Sequence, residues 1–146
     1  MNIVRNIEKS FYPEIYPDST PINHYLKLCL VKTNGLARYV LIVIDFDSSI
    51  DFKTQIEQAR MSIRQQTSAM WLFREVGAYI VFVCDELPNV NRSQIKVDKT
   101  GFHAVIIQGI HLVSKSGNHL YNHAKWSHRS FGGTECIAAR IVNSAI

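Results

Sequence analysis

Four residues near the middle of the chain carry the chemistry that side-chain type and spacing suggest first. Asp45, Asp47 and Asp51 crowd together, and Asp51-Phe52-Lys53 has the form acid-x-lysine. Carboxylate oxygens are the ligands a hard cation such as Mg2+ takes, and an ion held by one or two of them keeps waters for hydrolysis. A lysine beside such a centre can orient or activate the attacking water. The same acids have a plainer use. Asp and Ser between a strand and a helix cap the helix and suit its dipole.

Two other sets lie near the C-terminus. His119, His123 and His128 are followed by Cys136. Histidines at i and i+4 on a helix can share a metal ion, but no Glu adjoins the first of them. No close pair of cysteines completes a zinc pattern either. The plainer reading is a surface loop in which Lys125, Trp126, His128 and Arg129 touch a partner, with Lys115 nearby in sequence. Next, Gly132-Gly133-Thr134-Glu135-Cys136 sets a cysteine in the first turn of an expected terminal helix. Amide donors there lower a thiol pKa, and His123 or His128 as base would make Cys136 a nucleophile. Free cysteine is more commonly a small buried residue.

The elements that must position these groups follow from periodicity. Residues 2–12 suit a short helix with Ile3, Val4, Ile7 and Phe11 on one face. Pro13, Pro17 and Pro21 make the next stretch an irregular connector. Ile22 to Thr33 reads as a strand, and Asn34-Gly35 signals a tight hairpin. The fold-back strand, 36–46, is apolar at every central position, Val40-Leu41-Ile42-Val43-Ile44, as expected of a strand buried on both faces. Ser48 with Asp51 suggests a capping box. A helix from about Ser49 would carry Ile56, Ala59, Ile63, Met70 and Trp71 inward and end at Gly77 as its C′ residue. It returns the chain so that 78–84 lies parallel to 38–46. Ile95-Lys96-Val97 suggests a short strand, Phe102–Val113 a longer one broken at Gly109, Ser114–Gly117 a loop, and 134–145 a helix.

The order hairpin, helix, strand, together with acid-x-lysine and a glutamine-rich helix (Gln55, Gln58, Gln65), resembles the core of the PD-(D/E)xK restriction-endonuclease-like superfamily over residues 24–84. The resemblance implies a divalent-metal-dependent endonuclease hydrolysing phosphodiesters, with Asp45 and Asp47 as Mg2+ ligands, Asp51 joining them, and Lys53 near the scissile phosphate. The chain departs from that pattern at three points. The preceding strand offers no acid. Asp45-Phe46-Asp47, at the end of the strand, has Asp where Lys belongs. Asp51-Phe52-Lys53 has the right letters but falls in the first helical turn.

Composition bounds the rest. The chain has 146 residues, 47% hydrophobic and 19% charged, an ordinary globular balance. It is expected to form one α/β (α+β) domain: a mixed sheet of four or five strands with flanking helices. An N-terminal helix and Pro-rich connector would occupy 1–21, and a basic, His-rich loop and terminal helix 118–146. No apolar run reaches bilayer-spanning length, and the first residues lack the apolar stretch of a signal peptide. Cys29, Cys84 and Cys136 are odd in number and widely spaced, which suits a reducing, cytoplasmic compartment. The charge is uneven. Residues 91–146 hold seven Lys/Arg (Arg92, Lys96, Lys99, Lys115, Lys125, Arg129, Arg140) against Asp98 and Glu135, and the net charge is +4. Basic asymmetry suggests an acidic partner. The leading expectation is therefore a non-catalytic binding or adaptor protein on a nuclease-like scaffold. It needs no cofactor, and it contacts nucleic acid or an acidic protein through Lys115, Lys125, Trp126, His128 and Arg129. The metal-dependent endonuclease is second and a Cys/His thiol enzyme third.

Overall fold

The computed structural model describes residues 2–11, 14–15, 26–34, 37–66, 76–98, 105–124 and 142–146. Elements run α1 (Ile3–Phe11), β1 (Glu14–Ile15), β2 (Leu26–Asn34), β3 (Ala37–Asp45), α2 (Phe52–Gln66), β4 (Val76–Cys84), a 3-10 helix (Arg92–Gln94), β5 (Val105–Ser114) and β6 (His119–His123), with a helical turn at 142–145. They form a single mixed α/β domain. Its sheet has five full strands and the two-residue edge strand β1, in the order β1-β2-β3-β4-β5-β6. The pairs β1/β2, β2/β3 and β5/β6 are antiparallel, and β3/β4 and β4/β5 are parallel. The hairpin, the helical crossover and the parallel return strand are as the sequence implies. No helix among the described residues is long and apolar enough to cross a membrane.

The sheet is covered on both sides, which is why β3, β4 and β5 are nearly continuous apolar runs rather than alternating ones. On one face Val40, Ile42 and Ile44 of β3 meet Ala78, Ile80 and Phe82 of β4 and Ile56, Ala59 and Ile63 of α2. On the other, Leu41, Val43, Tyr79 and Val81 meet Ile3 and Ile7 of α1 and Val142 and Ala145 of the C-terminal turn. Asn6 fastens that turn to α1 by donating from Nδ2 to the Ala145 carbonyl at 3.0 Å.

Local detail differs from the sequence expectation at five places. Asn34 is the last paired residue of β2, opposite Ala37, so it lies outside the two-residue connection, 35–36, which falls outside the described residues. The cap of α2 is Asp51, whose Oδ2 accepts from the Thr54 N–H at 3.1 Å, so the helix begins three residues after the expected Ser49. Gly77 is not a helix terminator; it sits in β4, where a Cβ would come within 2.5 Å of Gln108 Nε2. Ile95-Lys96-Val97 is not a strand. The 3-10 helix precedes it, and buried Ile95 anchors the loop. Residues 119–123, expected in a loop, form β6. The end of the α2 expectation (67–75), residues 12–13 and 16–21 of the proline connector, whose Glu14–Ile15 form β1, and most of the terminal helix (134–141) lie outside the described residues.

The β4–β5 crossover has its own fastening. The Arg60 guanidinium of α2 grips Asp98 with two hydrogen bonds, 2.7 and 2.9 Å, and donates a third to the Val105 carbonyl. Asp98 Oδ2 also accepts from the Ile107 N–H at 2.8 Å. A bidentate Arg–carboxylate pair of this kind fixes geometry as well as charge. The hydrogen bonds to Asp98 hold the Arg60 pKa above its ordinary value despite partial burial.

Candidate functional site

The acidic cluster divides into separate local duties. Asp45 ends β3 and pairs with Lys27 at 2.9 Å across the irregularity between Leu26 and Leu28. Asp47 closes a turn: its Oδ1 accepts from the Ser49 N–H at 2.8 Å and from the Ser49 hydroxyl at 2.6 Å. Asp51 caps α2. Lys53 is exposed in the first turn of that helix. Buried Gln55 buckles the loop from beneath. Its Nε2 donates to the carbonyls of Asp47 and Ile50, and its Oε1 accepts from the Asp47 N–H.

Both acid-phenylalanine pairs have a packing explanation. Phe46 and Phe52 each stack edge-on against Phe82, with ring centroids 6.1 and 5.6 Å away. Phe46 packs inward at the end of β3, while Asp45 is half-exposed. Asp45 and Asp47 do border one cleft, with Ile44, Ile50, Gln55 and Phe82, but it has room for about one water molecule, roughly 20 Å3. Among the described residues no group of three or more His, Cys, Asp or Glu is arranged to hold a metal ion. Asp45, Asp47 and Asp51 are thus each held by a separate local contact, with only Asp45 and Asp47 sharing the cleft.

A different set of polar groups does converge. His119 and His123 lie on a strand, not a helix, so with Tyr121 they occupy one face of β6. Leu120 and Asn122 face the other way, Leu120 against the core and Asn122 donating to the Ile95 carbonyl at 2.8 Å. Opposite Tyr121 stands His111 of β5, fully buried. His111 Nδ1 is 2.8 Å from His119 Nε2, and His111 Nε2 is 2.8 Å from His123 Nε2. His119 Nδ1 lies 2.7 Å from Asn143 Oδ1 in the C-terminal turn. Tyr121 stacks on the His111 and His119 rings, and Tyr79 meets His123 edge-on.

A bulge in β5 makes this possible. Ala78 pairs with Ile107 but Tyr79 with Gly109, so Gln108 is an extra residue. The bulge shifts the alternation: Ile107 and Ile110 both reach the α2 face, and His111 turns to the opposite one. Gln108 is buried, and its Oε1 accepts from the Tyr79 hydroxyl at 2.8 Å. Gly109 must lack a side chain, because a Cβ there would stand 2.3 Å from His123 Cδ2 and 2.7 Å from Tyr79 Cδ1.

The protons of the string can be placed. The Asn143 oxygen only accepts, so His119 Nδ1 donates to it. A neutral His119 then accepts at Nε2 from His111 Nδ1, and His111 accepts at Nε2 from His123 Nε2. Donation runs from His123 through His111 and His119 to Asn143. Burial holds the His111 pKa well below its ordinary value, and any charge on His123 or His119 lowers it further. His119 is lowered by burial, against an opposing pull from Asn143.

The sequence reading grouped His119 and His123 with His128 and passed over His111, which stands inside an apolar run. Polar Gln108 and Gly109, interrupting that run, were the available signal of a bulge. Lys115 is exposed and pairs with Asp85, which raises its pKa. Arg92, also unassigned from sequence, lies over the Tyr121 ring at 5.7 Å. Cys29 and Cys84 are buried, and burial pushes both thiols up to about 11, so neither is a thiolate at neutral pH. Lys125, Trp126, His128, Arg129 and Cys136 lie outside the described residues. Comparisons with protein-family models, curated proteins and solved structures found no match to the chain.

Proposed function

We propose that the protein is a non-catalytic binding protein whose partner is a polyanion, with single-stranded or duplex nucleic acid as the first candidate. One observation carries the reading away from the endonuclease alternative. Asp45, Asp47 and Asp51 are each engaged in a different local contact, and among the described residues no third acid, His or Cys joins Asp45 and Asp47 in a metal-binding group. What supports a polyanion is the charge of residues 91–146, seven cations against two acids. Within that third, exposed Arg92 over Tyr121 adds a cation beside an aromatic ring, the pairing that nucleic-acid surfaces use for phosphate and base contact.

The test is fluorescence anisotropy with labelled RNA, single-stranded DNA and duplex DNA across a salt series. A polyanion binder loses affinity linearly in log salt, with a slope that counts the phosphates neutralised. Arg92→Ala is expected to reduce that slope by about one. Absence of binding at low salt would redirect the search to a protein partner. Cleavage of any of these substrates with Mg2+ or Mn2+, abolished by Asp45→Ala and Asp47→Ala, would replace the proposal with the endonuclease reading.

A further inference from the structure

The histidine string connects parts of the chain that are far apart in sequence. His111 belongs to β5, His119 and His123 to β6, and Asn143 to the C-terminal turn. Its three rings do not converge on one point, because His111 turns its two nitrogens toward different partners. That geometry suits shared protons, not a common ion.

Counting protons gives the string a definite capacity. Three imidazoles have six ring nitrogens. Each of the two nitrogen–nitrogen contacts holds one proton, and the outer nitrogens, His119 Nδ1 and His123 Nδ1, hold one each. Four protons are therefore the most that fit with every contact intact. The neutral string carries three. A first added proton is accommodated. A second sets two N–H groups against each other across a 2.8 Å contact, and that contact must open.

We propose that the His123–His111–His119–Asn143 string is a proton-operated latch, which ties β6 and the turn at 142–145 to the sheet and releases them when a second proton enters. Among the described residues, Tyr79 of β4 and Tyr121 of β6 make ring contacts with the string, and Arg92 of the 3-10 helix places its positive charge over Tyr121, which opposes a second proton. From α1, the tie to the same turn is the neutral Asn6 amide. The sheet beneath has no such weakness, since β3 and β4 are held by apolar packing on both faces. Release is thus confined to the edge strand and the turn.

Amide hydrogen exchange, corrected for intrinsic rates and followed from pH 8 to pH 5, tests this. Protection in 119–123 and 142–146 is expected to fall with decreasing pH, by up to about tenfold per pH unit for each proton taken up on opening, while β3 and β4 keep theirs. His111→Phe keeps a ring of similar size and removes the shared protons, so the β6 slope should fall to the smaller part that buried His119 supplies by itself. Should that variant not fold, Asn143→Ala leaves the buried rings in place: the turn should lose its protection at every pH, and β6 should keep its slope. Three results would each overturn the latch. Wild-type β6 protection could be flat over this range. The loss in β3 and β4 could run in step with that in β6. The β6 slope could survive undiminished in His111→Phe.

Discussion

The molecule holds two clusters of polar side chains with opposite histories. The acids at the end of β3 are close in sequence yet engaged with different partners. Asp45 turns to β2, Asp47 to its own turn and Asp51 to the helix end. The imidazoles on β5 and β6 are scattered in sequence and joined in space by contacts of 2.8 Å. Closeness along the chain says little about convergence where a strand gives way to a helix, because each backbone group there recruits the nearest polar side chain. Convergence comes instead from cross-strand pairing, which sets side chains of distant segments opposite one another.

That contrast can be broken by substitution, beginning where the effect is greatest. His111→Ala removes a fully buried ring and leaves two imidazoles without their partner. A loss of about 3–5 kcal/mol is expected in urea denaturation. A loss below about 1 kcal/mol would show that the string contributes little. Gly109→Ala drives a methyl into His123 and Tyr79. It should cost about 1–3 kcal/mol and displace the His123 ring signals in NMR.

Acid should separate the clusters without any mutation. His111 and His119 have pKa values depressed in the folded state, so the unfolded chain binds more protons below its own histidine range. Their contribution is fully present above pH of about 6.5 and is lost as pH falls from there toward the folded values. The slope is up to about 1.4 kcal/mol per pH unit for each group. Chemical denaturation at pH 7.5, 6.5 and 5.5 measures it, and a stability that is level across these values would contradict the burial-depressed pKa values.

The acidic cluster is expected to respond weakly. Asp51→Ala removes the α2 cap and should cost about 1 kcal/mol. Asp45→Asn, in a half-exposed pair with Lys27, should change stability by at most about 0.5 kcal/mol. Denaturation midpoints test both. An Asp45→Asn effect as large as that of His111→Ala would reverse the comparison and return attention to the end of β3.

Much of the scaffold is legible without coordinates. A strand buried on both faces must be apolar throughout, which identified β3 and β4. An amphipathic segment between them can only be a crossover. The misplaced details are those for which one residue type serves several purposes. Gly77 reads as a helix stop, yet it makes room for Gln108 and Tyr39. Ser48 reads as a cap, yet Asp51 is the residue that meets the Thr54 amide. The candidate site was legible only in part: His119 and His123 stand out, but their spacing fits a helix as well as it fits a strand.

The sequence by itself determined the layered α/β core, because burial on both faces forces a continuous apolar pattern that admits few arrangements. It also determined the charge imbalance toward the C-terminus. Only the tertiary structure decided where the polar chemistry collects. A single extra residue, Gln108, shifts the alternation of β5 and turns His111 from the α2 face to the face where His119 and His123 wait. Gln108 and Gly109 mark an interruption in the run, but with apolar residues on either side they do not tell which face His111 takes. That face is set only once β4 and β6 have paired with β5 on its two edges.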